Sequence, residues 1–509
     1  VPTRRSSGCP SRVAHLLNVA HIALLVACAG AGCTHLTPYY RGGQPWTVEP
    51  AGESRIDHRL LLIGDAGDAN PNGEPALQTL SEQVRLLPDR TTVVFLGDNI
   101  YERGMPEAGA SEPAEAAAKT ANVLLSNVFD SRKEAERSLD AQIDTVRGTR
   151  APAIFIPGNH DWDPFGADGW KRILAQGNYL QAAANSGAGV DVTMLPKGGC
   201  PGPVSVPLGK LGMLVVLDTQ WWLERGTNGR PQPENNPTHC GETTEAEIVA
   251  ALVSELETAA RQRRWAIVVG HHPLNSYGPH GGFVEGYTHL FPMRFLRHYV
   301  PFYLEWLPMP VLGTAAVLAR QHFSPSAQDA SNALNEHLRS KLRGAMAEAE
   351  SRGAPTLAYA GGHDHSLQVF RTAVGPRFTL VSGLGATSRA SEVGDSNNTL
   401  FAHANPLHPG FMQLDFLHDG SVRLSVIEAQ ERNAKTGTDA GLPIAAATAS
   451  LELAGGKKEV HPVEVFSTMI ADADSPRGAR PKSKSRSLWH RMRQRAASVW
   501  NGGSGKDSP

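Results

Sequence analysis

From Leu60 onward the chain sets short apolar runs between breaks rich in glycine and aspartate. Leu60–Ile63, Thr92–Leu96, Ala153–Ile156, Met213–Leu217, Ala266–Val269 and Leu357–Tyr359 are β-prone and bounded by turn residues. That is the pattern of strands buried in a sheet. Between them, Glu112–Leu125 and Thr244–Arg261 are rich in Ala, Leu and Glu and predict helices. Strands alternating with helices predict an α/β sheet covered by helical layers. Beyond residue 376, Arg377–Val381, Gly410–Phe416 and Val422–Glu428 predict further strands in a meander, and so a second sheet stacked on the first.

The ends of the chain read differently. Arg4, Arg5 and Arg12 precede an apolar run from Val19 to Ala27, which closes in Leu25-Val26-Ala27-Cys28. A basic flank, a short apolar core and small residues are the form of an export signal, and the run is too short to predict a membrane span. Leu-Val-Ala-Cys also resembles a bacterial lipobox, with Cys28 as the lipidated residue and Cys33 as a second candidate. The alternative is a plain cleaved signal. The expectation is therefore an exported periplasmic or cell-envelope lipoprotein of bacterial type, attached to the membrane through Cys28. Residues 1–33 are read as this leader and 34–55 as a linker, with a catalytic domain over 56–430. Residues 431–509 are read as a C-terminal extension, ending in a basic tail that carries Arg477, Arg480, Lys482, Lys484 and Arg486. Within the domain, 290–345 is read as an insert or lid. Its Leu290–Leu318 stretch is apolar and aromatic but broken by Pro301, Pro308 and Pro310. Lining the site, dipping into a membrane surface and packing on the core all remain open for it, the last being favoured.

Composition changes little. With 509 residues and 41% apolar positions the chain builds a large core, and a formal charge of −2 gives no overall field favouring nucleic acid. Cys200 and Cys240 are the only cysteines outside the leader. Export permits a disulfide between them, and two free thiols are the alternative.

The chemistry lies at the ends of the strands. Ile63 runs into Gly64-Asp65-Ala66-Gly67, Leu96 into Gly97-Asp98-Asn99-Ile100-Tyr101, and Pro157 into Gly158-Asn159-His160-Asp161. Val269 runs into Gly270-His271-His272, and Ala360 into Gly361-Gly362-His363-Asp364-His365. In α/β sheets the carboxyl ends of the strands are where sites assemble, and glycine there allows a sharp turn. Each fragment alone is weak. Together they bring oxygen and imidazole donors to one edge, a mixture suited to transition metals rather than to calcium.

The order of these motifs resembles the calcineurin-like metallophosphoesterases, and among them the purple acid phosphatases of the tartrate-resistant type. Gly67 stands where most of that superfamily has a histidine, and Tyr101 stands where the purple enzymes have a tyrosine. Gly97-Asp98-Asn99-Ile100-Tyr101, Leu217-Asp218-Thr219, His363-Asp364-His365 and Val381-Ser382-Gly383 carry the likeness, which spans about residues 58–430. The resemblance implies a four-layer α/β/β/α sandwich of two stacked mixed sheets flanked by helices. It implies two metal ions: Asp65, Tyr101 and His365 holding Fe³⁺; Asn159, His271 and His363 holding Fe²⁺, Zn²⁺ or Mn²⁺; and Asp98 bridging. It implies His160 and His280 as substrate-facing histidines, with Asp161 orienting His160. His272 is read as a supporting residue and Trp221-Trp222 as core.

The function this implies is hydrolysis of phosphomonoesters, on a phosphorylated small molecule or phosphoprotein, by an activated water attacking in line. A phosphodiesterase or nucleotide hydrolase with the same centre is the alternative. A non-catalytic envelope binding protein ranks below both, because the ligand set is complete.

Overall fold

The computed structural model describes residues 39–40 and 48–473, apart from 71–72, 109–131, 164–168, 188, 225–239, 285, 294–301, 395 and 432–459. The leader with Cys28 and Cys33, the basic tail, and the predicted helix Glu112–Leu125 lie outside the described residues.

The apolar runs become strands because both faces of each find cover. Strand β2 (Ile56–Ile63) turns Leu60 and Leu62 to one side and Leu61 and Ile63 to the other, all fully buried. The same alternation holds in β3 (Thr91–Phe95) and β4 (Pro152–Phe155), where Val94 and Ile154 join the first set and Val93, Phe95 and Phe155 the second. In β8 (Trp265–Val269), Ile267 and Val269 belong with the first set and Val268 with the second. The first set meets Leu357, Ala358 and Ala360 of β9 (Thr356–Gly361) between the sheets. The second set packs with helical residues such as Leu80, Leu139, Ile248, Leu252, Leu342 and Met346.

Two mixed sheets result, stacked and flanked by helices, which is the four-layer arrangement of the metallophosphoesterase fold. One sheet has seven strands in the order β15-β14-β13-β2-β3-β4-β5, with β2 to β5 (Asp191–Met194) parallel. The other has eight, in the order β1-β12-β10-β11-β9-β8-β7-β6. Its parallel centre runs from β7 (Gly212–Val216) through β8 and β9 to β11 (Phe378–Ser382). Beyond it lie β6 (Val204–Leu208) at one edge, and β10 (Leu367–Arg371), β12 (Thr399–His403) and finally β1 (Tyr39–Tyr40) toward the other. Strands β13 (Gly410–Leu417) and β14 (Val422–Glu431) pair antiparallel as expected, but the first member of the expected meander, Arg377–Val381, becomes β11 of the other sheet, parallel to β9.

The predicted helix at Thr244–Arg261 forms as Glu245–Arg261, started by a capping box in which Thr244 accepts from the Glu247 amide and Glu247 reaches back. Such a cap stabilises a helix by about 1 kcal/mol. Cys200 and Cys240 are joined as a disulfide, with Cα atoms 5.5 Å apart. Trp221 and Trp222 are buried in the core.

The extension expected from residue 431 is not separate from the domain. Within it, β15 (Val460–Ala471) pairs antiparallel along the whole of β14 and closes the edge of the seven-stranded sheet. The insert also departs from its favoured reading. Its helix Pro310–Phe323 buries Gly313 and Val317 but leaves Val311 and Phe323 more than 80% exposed. The turn after that helix reaches inward instead. None of the described helices is long and apolar enough to cross a membrane.

Candidate metal centre

Strands β2, β3 and β4 end in the Asp65, Asp98 and Asn159 turns, and β8 and β9 of the other sheet end in the His271 and His363 turns. The centre therefore sits where the carboxyl edges of the two sheets meet. Backbone bonds lock the turns together: Asp65 N–H donates to the Gly97 carbonyl, Gly67 N–H to that of Asp98, and Gly362 N–H to that of His271. Three of the donor residues, Asp65, Asp98 and His363, have positive φ of 59°, 53° and 71°. Non-glycine residues held there cost about 1–3 kcal/mol each and persist only where surrounding structure imposes them. Gly67 explains its own identity, because a Cβ there would lie 2.4 Å from the Asn99 carbonyl carbon. No side chain, histidine included, fits at that position.

Two sets of donors form. In the first, Tyr101 Oη stands 3.1 Å from Asp65 Oδ1 and 3.2 Å from His365 Nε2, and Asp65 and His365 are 3.4 Å apart. In the second, Asn159 Oδ1 lies 3.0 Å from His271 Nε2 and 2.9 Å from His363 Nδ1, and the two imidazole nitrogens are 3.2 Å apart. Asp98 stands between the sets, 3.5 Å from His271 Nε2 and clustered with Asp65. Ligands of one ion with bonds of about 2.0–2.2 Å are separated by roughly 2.9–3.5 Å, so both sets have the spacing of a coordination shell.

The far side of each imidazole supports this. The unused nitrogens of His271, His363 and His365 contact the carbonyls of Leu96, Gln328 and Arg389 at 2.8, 2.9 and 2.7 Å. A carbonyl only accepts, so each ring carries its proton there and turns a lone pair inward. Burial reinforces it, holding His365 near 4 and His363 well below its ordinary range, so both are neutral. Burial also pushes the Asp65 carboxyl up to about 7, with Asp98 facing it. Two buried carboxylates side by side need a cation, and burial and those carboxylates raise Tyr101 until its phenolate would need a strongly acidic one. The residues present fit a pair of metal ions.

His272 groups by distance with His271 and His363. Both its nitrogens are occupied elsewhere, on Thr219 Oγ1 at 2.8 Å and Gln328 Oε1 at 2.7 Å. It braces the turn and has no nitrogen for an ion.

His160 lies beside the first set, its ring 4.5 Å from that of Tyr101 and its Nε2 4.0 Å from Asp98 Oδ2. Its Nδ1 donates to the Glu102 carbonyl at 2.7 Å. The expectation that Asp161 orients this ring does not hold. Its fully buried carboxylate accepts from the amides of Gly158, Asn99 and Ile100, tying the third turn to the second. Glu102 holds the histidine in its place, through its carbonyl and a carboxylate 3.6 Å from Nδ1.

His280 lies on the opposite side, its ring 4.2 Å from that of His363. Pro279 offers it no carboxylate, but the insert does. Asp329 Oδ1 is 2.7 Å from His280 Nδ1, and Asp329 is held in turn by Arg320 at 2.9 and 3.0 Å and by Ser324 Oγ at 2.6 Å. Burial lowers the His280 imidazole, but the Asp329 bond outweighs it and leaves the ring raised, while Asp329 itself is lowered. Sequence reading missed Gln328 and Asp329 altogether. They lie in the turn between helices Pro310–Phe323 and Ala333–Ser351, with no local motif to mark them.

Residues 58–301 match the model of the calcineurin-like phosphoesterase family; His363 and His365 lie beyond the matched span. No curated protein matches the sequence. Among solved structures it is similar to GAP50, the anchor in the inner membrane complex of Plasmodium, at 14% identity and TM-score 0.39, covering 73% of this chain and 84% of that one. A dimetal phosphatase from Danio rerio is similar at 12% identity and TM-score 0.34, covering 73% and 95%. A 5'-nucleotidase precursor from Thermus thermophilus is similar at 10% identity and TM-score 0.28, covering 87% and 60%.

Proposed function

We propose that this calcineurin-like phosphoesterase domain hydrolyses phosphomonoesters at a dinuclear centre of the purple acid phosphatase type, in the cell envelope. The observation that carries the reading is the pair of facing donor sets with Asp98 between them, each inward imidazole fixed from behind by a backbone carbonyl. Asp65, Tyr101 and His365 would hold Fe³⁺; Asn159, His271 and His363 would hold Fe²⁺, Zn²⁺ or Mn²⁺; Asp98 would bridge. Such a pair of ions, when bound, supplies Lewis acidity and an activated water for in-line attack on phosphorus.

The chain's own residues do the rest. His160 and His280 each have Nδ1 engaged, on Glu102 and Asp329, and so present Nε2. Standing on opposite sides of the centre, they grip a phosphoryl group from two directions, and either can pass a proton to a departing alkoxide. The turn Ser324–Asn332, closed by Asn332 Nδ2 donating to the Ser324 carbonyl, lays the Gln328 carbonyl against His363. The export reading rests on the leader, and the Cys200–Cys240 disulfide is compatible with it.

The test is metal content and visible spectrum of the purified full chain, with turnover of p-nitrophenyl phosphate compared with its bis ester. The monoester should be preferred, and a strong bis-ester preference would favour a diesterase. Tyr101→Phe should abolish the visible phenolate-to-iron absorption. A colourless wild type with full activity would remove the iron assignment and leave a zinc or manganese pair.

Asp329→Asn should lower kcat about 10–100-fold, the usual cost of losing a group that orients an imidazole, with metal content unchanged. KM should move less than kcat, and Asp329→Glu should restore part of the rate. A wild-type kcat in Asp329→Asn would remove the insert from the catalytic apparatus.

A further inference from the structure

A second cluster of donors lies apart from the catalytic centre and shares no residue with it. His403 ends β12 of the eight-stranded sheet, Glu428 lies in β14 of the seven-stranded sheet, and His408 is in the crossing segment between β12 and β13. His403 Nε2 stands 3.2 Å from Glu428 Oε1, and His408 Nδ1 stands 3.5 Å from Glu428 Oε2. One donor atom from each of the three falls within 4.8 Å of the others. Gln430 Nε2 donates to Glu428 Oε2 at 3.0 Å.

We propose that His403, His408 and Glu428 form a third metal site, of the kind that takes Zn²⁺, fastening the crossover between the two sheets. His403 is completely buried, yet neither of its ring nitrogens makes a well-aligned hydrogen bond. A buried imidazole nitrogen without a well-aligned partner is costly, and an ion on Nε2 offsets that cost. Its contact with Glu428 has the length of a hydrogen bond without the alignment. Two ligands of one tetrahedral Zn²⁺ are separated by roughly 3.3 Å, and the observed 3.2 and 3.5 Å straddle that value. Two imidazoles and a carboxylate are a common zinc set, and the part-exposed His408 leaves water for the fourth position.

The position explains the use. Residues 404–409 carry the chain from one sheet to the other, held by a turn in which the Leu407 amide donates to Asn405 Oδ1, and by the Gly410 amide on the Leu384 carbonyl. An ion bound by His403, His408 and Glu428 would tie the edge of one sheet, the crossover and the facing strand together.

The test uses the full chain, stripped with chelator and titrated with Zn²⁺. An Asp98→Asn background separates this site from the catalytic centre. That background should retain one tight equivalent, and adding His408→Ala should weaken it at least about 100-fold. Co²⁺ in place of Zn²⁺ should give the visible bands of a four-coordinate ion, lost with His408→Ala or Glu428→Gln. His408 lies in a surface turn, so its variant should fold even if Glu428→Gln does not, and circular dichroism checks this. Identical Zn²⁺ binding with and without His408→Ala, or no tight equivalent in Asp98→Asn, would overturn the site. Neither result depends on the catalytic centre being active.

Discussion

Asp98→Asn should lower phosphomonoester turnover at least about 10³-fold, equivalent to ~4 kcal/mol of transition-state stabilisation. It should also lower the occupancy of both ions of the centre. Asp98 stands between the two sets, 3.5 Å from His271 on one side and clustered with Asp65 on the other. An amide keeps the shape of the side chain but supplies one carbonyl oxygen and no charge, so it cannot serve two cations at once. Unfolding is a poor alternative explanation. With the ions removed, the wild type buries two facing carboxylates, and the variant buries one, so the metal-free variant should be at least as stable as the metal-free wild type. Thermal denaturation with and without chelator checks this. The wild type should lose more stability to chelator than Asp98→Asn does. A variant that kept both ions at wild-type affinity would show that Asp98 does not bridge.

The donors were legible in the sequence because Asp65, Asp98, Asn159, His271 and His363 each follow a glycine at the end of a buried strand, and Tyr101 and His365 come within three residues of them. There, local sequence decides both that the chain turns and which side chain projects. The layered fold was legible for a similar reason: runs such as Leu60–Ile63 are apolar at every position, which only a sheet covered on both faces requires. What escaped notice depends on distant partners. Strand β15 forms because β14 presents an open edge, and its sequence, with Pro462 and Glu464 among apolar residues, carries no strong period. Strands Val204–Leu208 and Thr399–His403 are short elements that likewise form on partners distant in the chain or at a sheet edge. Asp329 reaches His280 across 49 residues of chain, and Gln328 reaches His363 across 35. Nothing local could have shown either.

The Asp161 reading fails for the opposite reason. It takes adjacency in the chain for adjacency in space, whereas in a tight turn neighbouring side chains diverge. His160 points out toward Tyr101, and Asp161 points back to the amides of the Asp98 turn. The two positions should therefore behave differently when changed. Asp161 holds the turn that carries Asn159, and its loss should show first as lost metal.

His160→Ala should instead keep both ions and lower kcat about 10²–10³-fold, within the range for losing a positioned acid or hydrogen-bond donor. Its Nδ1 is committed to the Glu102 carbonyl, and its Nε2 stays 4.0 Å from Asp98, so the ring completes neither donor set. What it offers is Nε2 at the rim, on the Asp98 and Tyr101 side where a phosphate oxygen would lie, and this atom carries an N–H when the ring is the imidazolium. The magnitude alone does not distinguish gripping phosphate from protonating the leaving group, but a series of aryl phosphates does. If His160 protonates the leaving group, the variant should lose most on poor leaving groups and little on p-nitrophenyl phosphate. If it only holds a phosphate oxygen, the loss should be the same across the series, and His160→Gln, which keeps an N–H donor, should recover part of it. Loss of either ion in His160→Ala, measured alongside the kinetics, would instead make the ring part of the metal site and remove its direct role at the substrate.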